Sequence, residues 1–394
     1  MSGPTIAEVE DELVLGLART GPSRQVDADR LVALARRAEP ERLLGVLVRQ
    51  RLVHLGIARL REMGAEKLTA DLAPRIEERL RAVRWNAVEQ EMLTHSVAGV
   101  LDEHGVSSVS LKGAVLARRL FDDPGLRESE DVDLLVRVER LEEAVAVLRE
   151  RFGYDAPRDA RDARGRPLLH YRLTHPQSLP TVELHWRVHW YEERSGTAML
   201  MRCETHDGLR RLAPADELAC LLLVYARDGF TGIRPLADLA AWWDRNGERV
   251  GANALDAVAK EFPELAPSLA VAAALADRLA GLPPGRTTVQ CGPWSPRMRR
   301  AERLSNWQLA GADEQIYADT AMVDLLLSPP GQTWPFVRRQ VLLPLDVAAD
   351  RLVQNRSSTL RRSSAVALHV PRVLARFTLA LLATRGARRR SPLP

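Results

Sequence analysis

Two carboxylates one residue apart open the segment Asp131-Val-Asp-Leu-Leu-Val136. Side chains alternate between the faces of a strand, so Asp131 and Asp133 share one face and Val132, Leu134 and Val136 the other. The two acids then sit about 6–7 Å apart along the strand. Anions held that close repel unless a cation neutralises them, and magnesium suits a pair of carboxylates completed by water and phosphate oxygens. Taken alone, D-x-D also describes a solvent-facing edge strand. A second segment shifts the balance: in Thr181–Val188, Val182, Leu184, Trp186 and Val188 fall on one face, and Glu183, His185 and Arg187 on the other. If the two strands are neighbours, Glu183 completes a triad of carboxylates. Such a triad can hold two magnesium ions, or one ion plus a base for an attacking hydroxyl. His185 reads equally well as a hydrogen-bonded surface histidine; His189 and Trp190 read as structural.

A third part precedes these two. Leu111-Lys112-Gly113-Ala114 runs from a strand through a glycine into a helix. That junction offers backbone N–H groups to a phosphate, and the glycine lets the anion approach. Lys112 shares the polar face with Ser108 and Ser110 and can add a point charge. Lysine is rare in this chain: Lys67, Lys112 and Lys260 are the only three among 56 basic residues. Lysine offers a compact charge on a flexible stem that arginine does not reproduce.

The elements that must position these residues follow from pattern. Residues 5–104 read as packed helices, with Leu43, Leu44, Leu47 and Val48 and later Met92, Val97, Val100 and Leu101 at helical spacing, and a break near Asp71 and Pro74. From Gly105 the order becomes strand (107–112), helix (113–121), turn (122–125), strand (131–136), helix (141–152), loop (155–166), then strands 168–173 and 181–188 joined as a hairpin. After Pro214 helices are expected at 216–227, 235–245, 255–262 and 267–280, then a Gly/Pro-rich linker at 283–296 and further helix from Arg297. The predicted class is α+β, a small mixed sheet covered by helices. The divisions are a helical region at 1–104, an α/β core at 105–205 and a helical region at 206–394 with an arginine-rich tail.

Composition narrows the function classes. The 394 residues are 46% hydrophobic and 27% charged, as in an ordinary folded protein. Three cysteines, Cys203, Cys220 and Cys291, are too few and too scattered for a disulfide framework or a zinc cluster, which suits a reducing cytoplasm. Met1 to Glu12 is acidic without an apolar core, so no signal peptide is expected, and no apolar run approaches a membrane span. Ten arginines and no acidic residue lie between Arg351 and Pro394. This tail suits a phosphate backbone or an anionic lipid surface, or is a solvated terminus.

LKGAVLARRLFDDPGLRESEDVDLLV followed by VELHW resembles the bacterial family of uncharacterised nucleotidyltransferases, within the superfamily that includes DNA polymerase beta. The resemblance covers roughly residues 95–245. It implies that Asp131, Asp133 and Glu183 are catalytic and hold magnesium, or manganese in its place. Lys112, Gly113, Ala114, Arg127 and His185 would serve the nucleotide, with Arg127 either pairing with a phosphate or positioning its loop. Ala114 departs from the Gly or Ser usual at that position and lacks a hydroxyl for the triphosphate. The helical segment Leu218–Asp238 contains a histidine-bearing stretch in relatives of that family, and here it reads LLLVYARDGF. Asp238 fits a recurrent aspartate of the family and reads as structural. The expected activity is transfer of a nucleoside monophosphate from an NTP, with ATP the first choice, to a hydroxyl-type acceptor on a small molecule or peptide, with release of pyrophosphate. Transfer to tRNA or another RNA is the alternative, and a non-catalytic nucleotide-binding scaffold a second. Attachment to a membrane surface through residues 366–390 is the weakest of these readings.

Overall fold

Val132, Leu134 and Val136 of one strand and Val182, Leu184 and Trp186 of another form a single apolar surface, and that surface organises the sheet. The computed structural model describes residues 6–157, 166–206, 208–308 and 314–335, together with Pro371, Ala375 and Thr378. Nearly all of the arginine-rich tail and most of the 155–166 loop lie outside the described residues.

Among the described residues six helices precede the sheet: α1 (Ile6–Leu17), α2 (Gly21–Val26), α3 (Ala28–Arg37), α4 (Pro40–Arg49), α5 (Val53–Glu62) and α6 (Glu66–Glu103). Then come β1 (Ser108–Ser110), α7 (Ala114–Phe121), β2 (Asp131–Val136), α8 (Leu141–Phe152), β3 (His170–Leu173) and β4 (Thr181–His185). The sheet order is β1-β2-β4-β3, with β2 and β4 parallel and the outer pairs antiparallel. This is the small mixed sheet with helical flanks expected of the sequence, hairpin included. Its apolar face packs on the C-terminal half of α6, through Leu93, Val97 and Leu101, and on α8.

The strands are shorter than the alternation predicts, because pairing partners run out before the pattern does. Arg187 and Val188 fall beyond β4. Arg187 accordingly leaves the polar face: its guanidinium donates to the Leu168 carbonyl at 2.7 Å and lies over the Trp186 ring. The break expected near Asp71 and Pro74 is also absent, and α6 runs through Pro74 for 38 residues. Proline removes one helical hydrogen bond there. Leu68, Leu72 and Ile76, all buried, hold the two sides of that position on one apolar stripe.

After the sheet come α9 (Ser195–Arg202) and the ribbon β5 (Glu204–His206) with β6 (Leu209–Arg211), none of which the sequence pattern announces. Then follow α10 (Pro214–Arg227), α11 (Arg234–Asn246), α12 (Ala254–Glu261), α13 (Ala266–Ala280), α14 (Pro284–Thr287), α15 (Pro296–Leu304) and α16 (Glu314–Leu327). Helices α10 to α13 match their predicted spans to within two residues. Prolines at their first turns mark each start except that of α12, because proline lacks the N–H that a first turn leaves unused. One apolar cluster runs from Val9 on α1 to Leu327 on α16 and takes in Leu135 from the far side of β2. Arg119 of α7 makes two 2.6 Å hydrogen bonds to the buried Glu217 of α10, and Glu217 also accepts from Trp242 of α11 at 2.7 Å. Helix α7 is thus fastened to the C-terminal helices.

Candidate active site

The register of β2 against β4 brings the acids together. Asp133 pairs with Glu183 and Asp131 with Thr181 in a parallel ladder, so all three carboxylates rise from adjacent strands on one face. Ligand oxygens of Asp131, Asp133 and Glu183 lie within 4.8 Å of one another. Asp133 is fully buried, while Asp131 and Glu183 keep 27% and 15% of their side-chain surface exposed, which leaves the cluster open on one side.

Lys112 is turned onto this cluster. Its ammonium lies 2.9 Å from Asp133 Oδ2 and 3.6 Å from Asp131 Oδ1. His185 Nε2 lies 3.0 Å from Asp133 Oδ1 and 3.3 Å from Glu183 Oε2. Both neighbours are carboxylates, so Nε2 carries the hydrogen and donates. Burial by itself raises the pKa of Asp133, yet the Lys112 ammonium and the His185 hydrogen bond together hold it far below the ordinary carboxylate range. Glu183 is also lowered, its burial outweighed by the His185 bond. Asp131 goes the other way: burial, then the charge on Asp133, raise it against the pull of Lys112.

Gly113 sits behind this arrangement with φ 89° and ψ −155°, a region that is essentially glycine's alone. A side chain there would also meet the Asp131 carbonyl at 3.4 Å. The junction therefore needs glycine for its backbone conformation. Gly113→Ala is expected to destabilise the chain by about 1–3 kcal/mol, read from denaturant midpoints at constant slope. An unchanged midpoint would show that the junction relaxes freely. Ala114, buried, is the first residue of α7.

The segment leading into β2 is bolted from both sides. Arg127 is buried and bonded to Asp238 of α11 at 2.9 Å. Arg79 of α6 pairs with Glu128 at 2.7 Å. Asn86 and Gln90 of α6 both donate to the Ser129 carbonyl, at 3.0 and 2.9 Å. Arg127 thus has the geometry of a loop anchor, and Asp238 that of its structural partner.

Two residues near the cluster escaped the sequence reading. His170 of β3 stands opposite His185 in the antiparallel register, with its Nε2 3.7 Å from Glu183 Oε1. Burial, then His185, push its pKa down to about 3, so its imidazole is neutral at pH 7. The hairpin register would have identified it, had the loop length been known. Arg227, in the last turn of α10, bears electrostatically on both Lys112 and His170, and its ion pair with Asp228 is long, at 3.9 Å. It lies within LLLVYARDGF, the stretch that departs from the resemblance.

A family model described as uncharacterised nucleotidyltransferase matches residues 36–281, more than half of the chain. The chain belongs to that family. No curated protein and no solved structure matches it. Within this nucleotidyltransferase family match lie α6, the whole four-stranded sheet, α7, Arg227 and Asp238. Both walls of the acidic cluster are therefore family structure.

Proposed function

We propose that this chain is a metal-dependent nucleotidyltransferase that moves a nucleoside monophosphate from an NTP, ATP first among them, to a hydroxyl on a small molecule or peptide. The observation that carries the reading is the convergence of Asp131, Asp133 and Glu183 beside the Lys112-Gly113 junction. The donor set fits magnesium: it is all oxygen, and burial, with the charge on Asp133 beside it, raises the pKa of Asp131 against the pull of Lys112. Asp131, Asp133 and Glu183 would hold the ion, which when bound draws charge from the triphosphate and lowers the pKa of the acceptor hydroxyl.

The chain's own residues do the rest. Lys112 has a flexible stem, so its ammonium can leave the aspartates for a phosphate oxygen as metal and nucleotide arrive. The N–H groups after Gly113 offer a seat to the phosphates. Arg227 supplies a second cation from α10, and Arg127, held by Asp238, keeps β2 in place. The acceptor oxygen attacks the α-phosphorus, the bond to the bridging oxygen breaks, pyrophosphate leaves with that electron pair, and the hydroxyl proton departs to a base. Such transfer depends on positioning and charge more than on covalent help from the protein.

The test is to incubate the protein with each α-labelled NTP and magnesium, separately with a metabolite extract, a peptide pool and total RNA. Label entering small molecules or peptides is the expected result, and chelation of the metal should abolish it. Label in RNA alone would replace the acceptor assigned here, and label in no fraction would leave only the scaffold reading.

A further inference from the structure

Glu183 has two carboxylate oxygens, and each faces a different histidine. Oε2 is 3.3 Å from His185 Nε2 and Oε1 is 3.7 Å from His170 Nε2. The two imidazoles are 4.7 Å apart between ring centres and tilted by 57°. One ligand atom from each of His170, Glu183 and His185 lies within 4.8 Å of the other two. In a tetrahedral site with metal–ligand bonds of about 2.0–2.1 Å, neighbouring ligand atoms stand roughly 3.3 Å apart. The 3.3 and 3.7 Å contacts, made by the two different oxygens of Glu183, are close to that distance.

We infer that His170, His185 and Glu183 form a second cation site, specific for a borderline transition metal of the zinc class. Two imidazole nitrogens and one carboxylate are the donors such ions select, whereas magnesium prefers oxygen alone. Three protein ligands leave a fourth position for water or substrate. His185 is 1% exposed and His170 has 25% of its side chain exposed, so the site is closed at one histidine and reached past the other.

Nδ1 of both histidines is buried without a partner among the described residues. The distance from His170 Nε2 to Glu183 is too long for a hydrogen bond. His170 is thus held at a carboxylate without being bonded to it. Binding through His185 Nε2 forms a metal–nitrogen bond and moves that nitrogen's proton to Nδ1. Nδ1 lacks a partner in either tautomer, so the exchange loses no hydrogen bond there. Asp133 gives up its histidine donor and gains a neighbouring positive charge.

The site shares Glu183 with the acidic triad of the transfer reading, but its test contains no nucleotide, so the two can fail separately. The full-length, chelator-stripped protein is titrated with Co2+ alone and read by visible d–d absorption, then back-titrated with Zn2+. Saturable binding of one ion is expected, displaced by Zn2+ and not by magnesium. His170→Ala should weaken it at least about tenfold with its circular dichroism unchanged, while Asp131→Asn keeps it. No saturable binding, or full affinity in His170→Ala, would overturn the site. If that variant does not fold, zinc K-edge absorption of the loaded wild-type protein decides: scattering from two imidazoles supports the site, and fewer than two refutes it.

Discussion

Asp131→Asn is expected to lower nucleotidyl transfer by at least about a thousandfold while leaving the metal-free chain as stable as before, or more stable. The two halves have one cause. A carboxylate that helps hold the catalytic cation accounts for several kcal/mol of transition-state stabilisation, and each 1.36 kcal/mol is tenfold in rate. The same carboxylate is a burden in the metal-free fold. Its pKa is raised on folding, by burial and by Asp133, so the folded chain binds that proton more tightly than the unfolded one. Above its folded pKa the ionised form therefore subtracts from stability, and at pH 7 the amide removes the repulsion. The measurements are labelled transfer at saturating NTP and urea midpoints in chelator. Residual activity near that of the wild type would remove Asp131 from the site. A clear loss of stability would show that its charge is already balanced by Lys112.

Lys112→Met is expected to behave in the opposite way. Asp133 has no exposed surface, and its charge is tolerated because the ammonium stands 2.9 Å away. Methionine keeps most of the stem and removes the charge, leaving a buried carboxylate supported by His185 alone. Orphaning one partner of a buried pair costs about 3–5 kcal/mol. Asp131 also loses its nearest cation. Millimolar magnesium should therefore raise the unfolding temperature of Lys112→Met more than that of the wild-type protein, where the ammonium competes for the same oxygens. A variant as stable as the wild type, or one that gains less from magnesium, would show that Lys112 does not occupy the cation's place. On the proposed reading, transfer should fall in this variant even with magnesium restored, because the charge assigned to the phosphates is gone.

These contrasting outcomes concern neighbours on one sheet face, and the sequence separates them poorly. Alternation assigns Asp131, Asp133 and Glu183 to a polar face, but it cannot say that Asp133 has no exposed surface while Asp131 remains partly open. Burial depends on what covers the face. Here Lys112, brought in by the strand β1, stands against Asp133, and Arg227 of α10 bears electrostatically on Lys112 and His170. The loop that aims β2 shows the same limit. Its Arg127, Glu128 and Ser129 are held by Asp238, Arg79, Asn86 and Gln90, from 39 to 111 residues away in sequence.

From residue order alone came the α+β class, the parity of the two strands that carry the acids, the hairpin, the bounds of α10 to α13 and the placing of the three acids on polar faces, because each depends on local spacing or a turn residue. Tertiary structure decided the ladder that sets Asp133 beside Glu183, the continuation of α6 through Pro74, the turning of Lys112 onto the aspartates and the pairing of His170 with His185. Those outcomes turn on which distant segments exclude water from a given face. Strand periodicity carries no information about the identity of its neighbour, so a charge can be placed on a face by sequence, but its partner only by the fold.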